Sequence, residues 1–282
     1  VGRAPVITVA YGSATDVGRV REVNEDAVLA AFPVFVVADG MGGYEAGDIA
    51  SRLTVEQFAE GAGRDDLDRR WAEGRIAAAA DAVRPTGGGT TVTGIVATTF
   101  EGIAHWLVFN VGDSRVYRRT GGEVVQVSVD HSLVQEMVDS GMLAPDEARH
   151  HPERNIVTRA IGADDDPVPD FWLVPATVGD RFLVCSDGLT GEVEPPDLAE
   201  LLCRRDPPQQ VADRLVAAAV AAGGRDNITV VVVDVVDVAA PGAVPAAGAS
   251  SDPATGGTVP DPGDAPSSDT RPFTPLTPRR SP

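Results

Sequence analysis

Four aspartates of this chain stand where a short apolar run meets a loop. Asp39 closes VFVVAD ahead of GMGG, Asp113 follows HWLVFNVG, Asp187 follows RFLVCS, and Asp226 stands just before NITVVVVDVV. Short β-branched runs bounded by glycine and polar residues read as buried strands. Each carboxylate is therefore expected at a strand–loop junction, where rigid scaffolds commonly present functional groups. Taken singly, any one of them reads equally well as a turn residue or strand terminator before Gly or Asn. Together with Arg21, Glu25 and Asp26 in REVNED they are hard to explain as turns. Carboxylates gathered at neighbouring strand ends repel unless some are protonated or a cation sits among them. The chemistry predicted is that of a divalent metal, since hard cations take oxygen ligands.

The elements that must place these residues follow in order along the chain. Val6 to Tyr11 reads as a first strand, AVLAAF after Asp26 as a second, and the run ending at Asp39 as a third. AGDIASRLTVEQFAEGA then has helical spacing, with Ile49, Leu53 and Phe58 as the expected inward stripe, and a second helix is expected over Leu67 to Val83. GGGTT, which lacks the lysine of a phosphate loop, reads as a tight turn into strands VTGIVATTF and HWLVFNVG, and RVYRR and EVVQVS read as a hairpin closed by TGG. Between Asp130 and Asp166 the sequence becomes polar, with two short helical stretches, many Arg and His, and an acidic run from Asp164 to Asp166; it is expected to be a small insert over the core. Strands VPDFWLV and RFLVCS, helices Pro196–Arg204 and Pro207–Ala222, and a last strand complete the pattern. Strands, two helices, more strands and two more helices suit an α+β fold, a central antiparallel β-sandwich flanked by α-helices. One domain over residues 1–238 is expected. Residues 239–282, rich in Ala, Pro, Gly, Ser and Thr, have too few apolar anchors to offset the ordering entropy and are expected to form a disordered tail.

Composition narrows the function. The apolar fraction of 43% is ample for one large core, and the formal charge of −19 argues against nucleic acid or an anionic membrane as partner. Every basic residue is Arg. The absence of Lys excludes phosphate loops, the protein-kinase site and Schiff-base catalysis. Cys185, within an apolar strand, and Cys203, in LAELLCRR, are both expected to be buried reduced thiols, and two cysteines make no disulfide framework. Cys185 has no Arg six residues on, as a cysteine-dependent phosphatase needs, and no His/Cys cluster has zinc spacing. The opening VGRAPVITVA has too short an apolar run for a signal peptide, and the run from Ile228 to Ala240 is broken by Asp234 and Asp237, so a cytoplasmic location is expected.

ArgGluValAsnGluAsp (21 to 26), AspGlyMetGlyGly (39 to 43), GlyThrThr (89 to 91), GlyAspSerArg (112 to 115), SerAspGly (186 to 188) and AspAsnIleThr (226 to 229) together resemble the metal-dependent PPM/PP2C serine/threonine phosphatases in their bacterial form. The resemblance runs from about Val6 to Val238. It implies a helix-flanked β-sandwich, a binuclear Mn2+ or Mg2+ site at one edge, and a mobile flap, here at about 130–166. It makes Asp39 the bridge between two metals, with the Gly40 carbonyl as a further ligand. Asp187 and Asp226 would complete the first ion, Glu25 or Asp26 would hold the second through water, and Asp113 with Asp187 would hold a third, weaker ion. Arg21 matches the phosphate-binding arginine. Hydroxide bridging the metals would then attack phosphorus in line, with no phosphoenzyme. The partners implied are phosphoprotein substrates, including a serine/threonine protein kinase, with the chain a monomer.

Two positions depart from the family pattern. Met41 and Tyr44 stand where relatives carry a histidine after the first AspGly or after MetGlyGly, which leaves the proton donor to the leaving hydroxyl open. A metal-held water is the default. His131, His150 and His151 are candidates only if the insert folds over the cleft; otherwise each is a solvated residue. Two other readings fit the chain: a phosphatase dedicated to one regulatory phosphoprotein, and an inactive phosphoprotein-binding module, which would be expected to have lost Asp39, Asp187 or Asp226.

Overall fold

Every residue from Val34 to Ala38 is fully buried, without the inward–outward alternation of a half-exposed strand. Both faces of this strand are covered. Val34, Val36 and Ala38 pack on one side with helix residues, while Phe35 and Val37 pack on the other with residues of a second sheet. The last strand does the same, with Ile228, Val230 and Val232 turned to helices and Val231, Val233 and Val235 turned to the opposite sheet. Continuous apolar runs in an antiparallel fold thus mark a four-layer arrangement.

The computed structural model describes residues 6–42, 46–163 and 167–239. Tyr44, the acidic run Asp164 to Asp166 and residues 240–282 of the expected tail lie outside them, while Ala239, expected to open that tail, pairs with Val6 at a strand end. One sheet has the order β1 (Val6–Asp16), β11 (Ile228–Ala239), β10 (Arg181–Cys185), β7 (Arg115–Thr120) and β8 (Glu123–Gln126). The other has the order β2 (Asp26–Ala31), β3 (Val34–Met41), β5 (Val92–Phe100), β6 (Ile103–Val111) and β9 (Asp170–Pro175), with β4 (Gly89–Thr90) paired to the end of β3. All the pairings are antiparallel. Trp106, Phe35, Ile95, Phe182 and Val184 fill the space between the sheets. Helices α1 (Ala46–Phe58) and α2 (Arg69–Val83) cover the second sheet, and α6 (Pro195–Cys203) and α7 (Pro208–Ala222) cover the first. The α+β sandwich flanked by helices is therefore the observed fold.

Two details of the sequence reading change. The buried face of α1 is Gly47, Ala50, Ser51, Thr54, Val55 and Phe58, with Ile49 and Leu53 only half-buried at its flank. The reason is proximity: a Cβ placed on Gly40 would lie 2.3 Å from the Gly47 carbonyl oxygen, so the helix meets β3 through small residues. Cys185 is buried as expected, but Cys203 is exposed, because Leu198 and Leu202 take the inner face of α6. No helix among the described residues is long and apolar enough to cross a membrane.

The insert carries α3 (Leu133–Asp139) and α4 (Pro145–Ala148) and is closed at its base by bridges between Ser132 and Val157 and between Thr90 and Ile161. It roofs a cavity of about 450 Å³ whose floor includes Asp113, Arg115 and Asp187 and whose roof includes Val134, Arg149 and Arg154.

Candidate metal centre

Strand direction brings the candidate carboxylates to one pole of the sandwich. Asp26 opens β2 directly opposite Asp39 near the end of β3. β6 ends at Val111, just before Gly112–Asp113, and β10 ends at Cys185, one residue before the Ser186–Asp187 step into α5 (Asp187–Thr190). Cys185 pairs with Val230 and Asp16 with Ile228, so the start of β11, with Asp226 before it, and the loop from Asp16 to Asp26 share that pole. Every carboxylate singled out from the sequence is here, with Arg21 beside them.

Backbone and hydroxyl groups fix the Asp26 and Asp39 segments. The Asp39 N–H donates to Thr91 Oγ1 at 3.0 Å, and the Asp39 carbonyl accepts from Thr91 N–H and from Thr90 Oγ1, each at 2.9 Å. Thr91 Oγ1 lies 2.8 Å from Ser114 Oγ, which ties the Asp39 segment to the Asp113 segment. Ser186 Oγ donates to Asp26 Oδ2 at 2.8 Å and accepts the Thr229 N–H at 3.0 Å. Gly40 is obligatory for packing, since a Cβ there would also come within 2.5 Å of the Glu25 carbonyl oxygen. GGGTT therefore does more than turn the chain: β4 pairs with Gly40 and Met41 on one side and meets Ile161 on the other.

The electrostatics are those of crowded acids. Burial is the main cause that raises the Asp26 carboxyl to about 7, with Asp187 and Asp226 adding to it and hydrogen bonds from Thr229 and Ser186 opposing it. Burial also pushes Asp39 and Asp113 well above the usual carboxylate range, and neighbouring aspartates push in the same direction. Asp187 is raised by burial and by Asp226, against a hydrogen-bonding contact with Asp39 that lowers it. Glu25 is raised by burial, with Arg21 acting against that. Arg21 donates from Nη2 to Asp226 Oδ2 at 2.7 Å, and this contact is the leading cause that raises its guanidinium. The half-buried Arg115 is committed elsewhere, with Nε and Nη2 on Asp130 at 2.6–3.0 Å.

This donor set fits hard divalent cations. It offers only oxygen, one of its atoms, Asp26 Oδ1, is buried without a hydrogen-bond partner, and its members destabilise one another's ionised forms in the absence of positive charge. Among the described residues no three His, Cys, Asp or Glu side chains close into a ready-made cage for one ion. The carboxylates gather at one pole instead, where each could supply one or two ligands with water completing the shell.

The histidines divide. His131 is 5% exposed, not solvated. The Gly112 N–H donates to its Nδ1 at 3.1 Å, and its Nε2 lies 3.0 Å from Asp170 Oδ2 and 3.2 Å from Arg159 Nη1. The hydrogen bond between His131 and Asp170 is the first cause holding the Asp170 carboxyl below its ordinary range. With both nitrogens engaged, His131 is a brace between the flap base and the segment before Asp113. His150 lines the flap cavity at its exposed rim, and the half-buried His151 accepts the Glu153 N–H on Nδ1 at 3.2 Å. Ser114, Ser186 and Asn227 each stand beside a candidate ligand, and Thr90 and Thr91 lie in GlyThrThr, yet none of the five carries a signal of its role in the sequence.

A helix-flanked pair of antiparallel sheets with carboxylates gathered at one pole defines a class of protein, and likeness to known proteins specifies it. The model of the protein phosphatase 2C family matches residues 19–219, and the chain belongs to that family. Asp226 lies beyond the matched range and is brought in by the fold. The serine/threonine protein phosphatase PstP of Mycobacterium tuberculosis is 39% identical over 241 residues, covering 82% of this chain and 46% of PstP, so the chain spans about half the length of that relative. The protein phosphatase PhpP of Streptococcus pneumoniae is 35% identical over 233 residues, covering 78% of this chain and 94% of PhpP. Among solved structures, the PstP catalytic domain in complex with two manganese ions superposes with a TM-score of 0.72 at 34% identity, covering 82% of this chain and 100% of that one. The phosphatase MsPP of Mycobacterium smegmatis in complex with cacodylate gives 0.73 at 36%, covering 80% of this chain and 98% of that one.

Proposed function

We propose that this chain is a metal-dependent protein serine/threonine phosphatase that hydrolyses phosphoserine and phosphothreonine in proteins. The observation that carries the reading is the meeting of Glu25, Asp26, Asp39, Asp113, Asp187 and Asp226, from separate chain segments, at one pole of the sandwich beside Arg21. Asp39 would be shared between two core ions, with the Gly40 carbonyl, Asp187 and Asp226 on one and Glu25 or Asp26 on the other. Asp113 and Asp187 would hold a third, weaker ion. Mn2+ or Mg2+ suits the all-oxygen set. When bound, such ions supply Lewis acidity and water acid enough to act as nucleophile and as proton source for the leaving hydroxyl.

The chain's own residues do the rest. Arg21 spends one N–H on Asp226 and is half exposed, so its remaining donors are available to phosphoryl oxygens in the forked geometry that guanidinium offers. Its fixed positive charge offsets the repulsion between the anionic substrate and the gathered carboxylates. His131 serves as a brace, with both ring nitrogens engaged within the protein. The flap cavity beside Asp113 and Asp187 gives a phosphoprotein a second surface to contact.

The partners we infer are phosphoproteins, a serine/threonine protein kinase among them. The strongly acidic balance supports the absence of nucleic acid and of an anionic membrane surface as partners. The free thiols Cys185 and Cys203 support a reducing, cytoplasmic setting, and a monomer is the working state. Hydrolysis of p-nitrophenyl phosphate and of a phosphorylated kinase activation-loop peptide, with and without Mn2+, tests the proposal. Mn2+-dependent turnover of both is expected. Tight phosphopeptide binding without turnover would instead mark a binding module.

A further inference from the structure

The loop that carries Arg21 and Glu25 has little apolar anchorage. Val20 and Val23, on either side of Arg21, are 64% and 51% exposed. The Gly40 N–H reaches the Glu25 carbonyl at 3.1 Å and Asn24 Nδ2 reaches Thr15 Oγ1 at 2.8 Å, but the largest set of contacts comes from one side chain at the far end of the sequence. Asn227 Nδ2 donates to the Val17 and Val23 carbonyls, both at 3.0 Å, and Asn227 Oδ1 accepts the Glu25 N–H at 2.8 Å. Three points spaced along the loop thus converge on an amide that is 5% exposed. Its orientation is fixed, because the flipped amide would face two carbonyls with its oxygen and an N–H with its nitrogen. The Asn227 N–H in turn donates to Asp226 Oδ1 at 2.9 Å, while Arg21 reaches Asp226 Oδ2.

We propose that Asn227 is a positioning residue for the reaction: it sets the Arg21–Glu25 loop in register with Asp226, so that the phosphate-binding arginine and the carboxylates face one another at the working distance. The backbone contact between Arg19 N–H and the Gly224 carbonyl, at 2.6 Å, keeps the two loops adjacent but lies on the far side of Arg21 from Glu25. Without the amide, the span from Val20 to Glu25 has no other side chain gripping its backbone among the described residues. Aspartate fills the same volume and keeps the acceptor for Glu25, yet it turns a carboxylate toward the Val17 and Val23 carbonyls. Asn227→Asp therefore reverses two of the three contacts while changing almost no packing.

The inference rests on the phosphatase reading for the role of Arg21, and two measurements separate the two. Hydrogen exchange over residues 17–25 reports the clamp without any catalysis. In Asn227→Asp the amides from Val20 to Glu25 should exchange about tenfold faster or more, the loss of one to two net hydrogen bonds, while β3 and β10 are unchanged. Steady-state hydrolysis of p-nitrophenyl phosphate at saturating Mn2+ reports the function. KM should rise about tenfold with a much smaller fall in kcat, and the substitution should add almost nothing once Arg21→Ala is present, because both act through one contact. Asn227→Ser, which is smaller and uncharged, should give the same pattern in milder form and serves if Asn227→Asp does not fold. Unchanged loop exchange, faster exchange throughout β3 and β10, or the same factor on KM with and without Arg21 would each overturn the proposal. An unmutated protein that hydrolyses nothing would overturn the phosphatase reading, and the loop exchange would still decide the role of Asn227.

Discussion

Asp26 and Asp39 face each other as opposed partners in the β2–β3 ladder, two acids where a sheet normally sets complementary or neutral pairs. Both have carboxyls raised above their ordinary values, Asp26 to about 7. For an acid whose folded pKa lies above its unfolded one, the folded state holds more protons between the two values, so stability falls as pH rises through that window. For Asp26 the window runs from about 4 to about 7. Bound cations neutralise the cluster and remove the penalty. The gap in melting temperature between Mn2+-loaded and chelator-treated protein should therefore widen as pH is raised across that window, and Asp26→Asn should narrow it. A gap independent of pH, measured by calorimetry, would show that the carboxylates are not electrostatically opposed in the metal-free protein.

Ligand and anchor should separate by mutation. Asp39→Ala removes the central carboxylate, and both metal binding and turnover should fall by about a thousandfold or more, since the loss touches Lewis acid and nucleophile together. Arg21→Ala should keep the two core ions and mainly raise KM, by about ten- to a hundredfold for a lost charge-assisted contact. Calorimetric Mn2+ titration is the discriminating measurement, and an Arg21→Ala protein that binds no metal would refute the division.

The flap should matter more to proteins than to small esters. Arg149 ties the flap to the segment after α5, donating to the Val193 carbonyl at 2.9 Å and to Glu194 Oε1 at 3.1 Å, and Arg154 lines the same cavity. Contacts remote from the reacting phosphorus help only a substrate long enough to reach them. Replacing both arginines with alanine should cut kcat/KM for a phosphoprotein by about tenfold and leave p-nitrophenyl phosphate within about twofold. Equal losses on the two substrates would show that the flap arginines act on the centre itself.

What could be read in the sequence was local, and what could not depended on distant partners. Asp39, Asp187 and Asp226 were legible because an apolar run beside an acid is a pattern of neighbours. Asn227 was not, because its partner Glu25 lies 202 residues away, and nothing near either one announces the bond. His131 read as a solvated flap residue because only the closed base of the insert, with Gly112 on one side and Asp170 on the other, buries it. Ile49 and Leu53 looked like the inner stripe of α1 because hydrophobic spacing favours large residues. The close approach of Gly47 to Gly40 selected the small ones.

The extent of the domain is open to a direct test. Val6 pairs with Ala239 at the end of the β1–β11 ladder, so a chain ended after Ala239 keeps every described strand pairing. Residues 240–282 offer few apolar anchors. Truncation there should leave the melting temperature within about 2 °C, which corresponds to about 0.5 to 1 kcal/mol in a domain of this size, and should leave Mn2+-dependent turnover of small substrates unchanged. A marked fall in either would show that the removed segment packs on the domain.

Asp113 gives the sharpest test of the centre, because two readings of it predict opposite outcomes. As a turn residue it would serve by accepting hydrogen bonds, and asparagine would replace it with little loss. Its surroundings argue for a different role. It is 7% exposed, its carboxyl is pushed well above the usual range first by burial and next by Asp187, and it floors the cavity under the flap. A turn acceptor gains nothing from such a position, whereas an acid that shares a cation with Asp187 recovers the cost of its ionisation when the ion binds. Asparagine keeps the shape and loses the charge that a weakly bound hard cation needs. Asp113→Asn should then fold normally, with a melting temperature in chelator equal to or above that of the unmutated protein, because a buried like-charge neighbour of Asp187 has gone. It should keep two tightly bound ions and lose turnover by about ten- to a hundredfold, as expected when one of several metal ligands is weakened. Raising Mn2+ should restore part of that loss. Near-normal turnover at low Mn2+, or a titration in which no ion binds at all, would show that Asp113 either only shapes the turn or belongs to the two core ions.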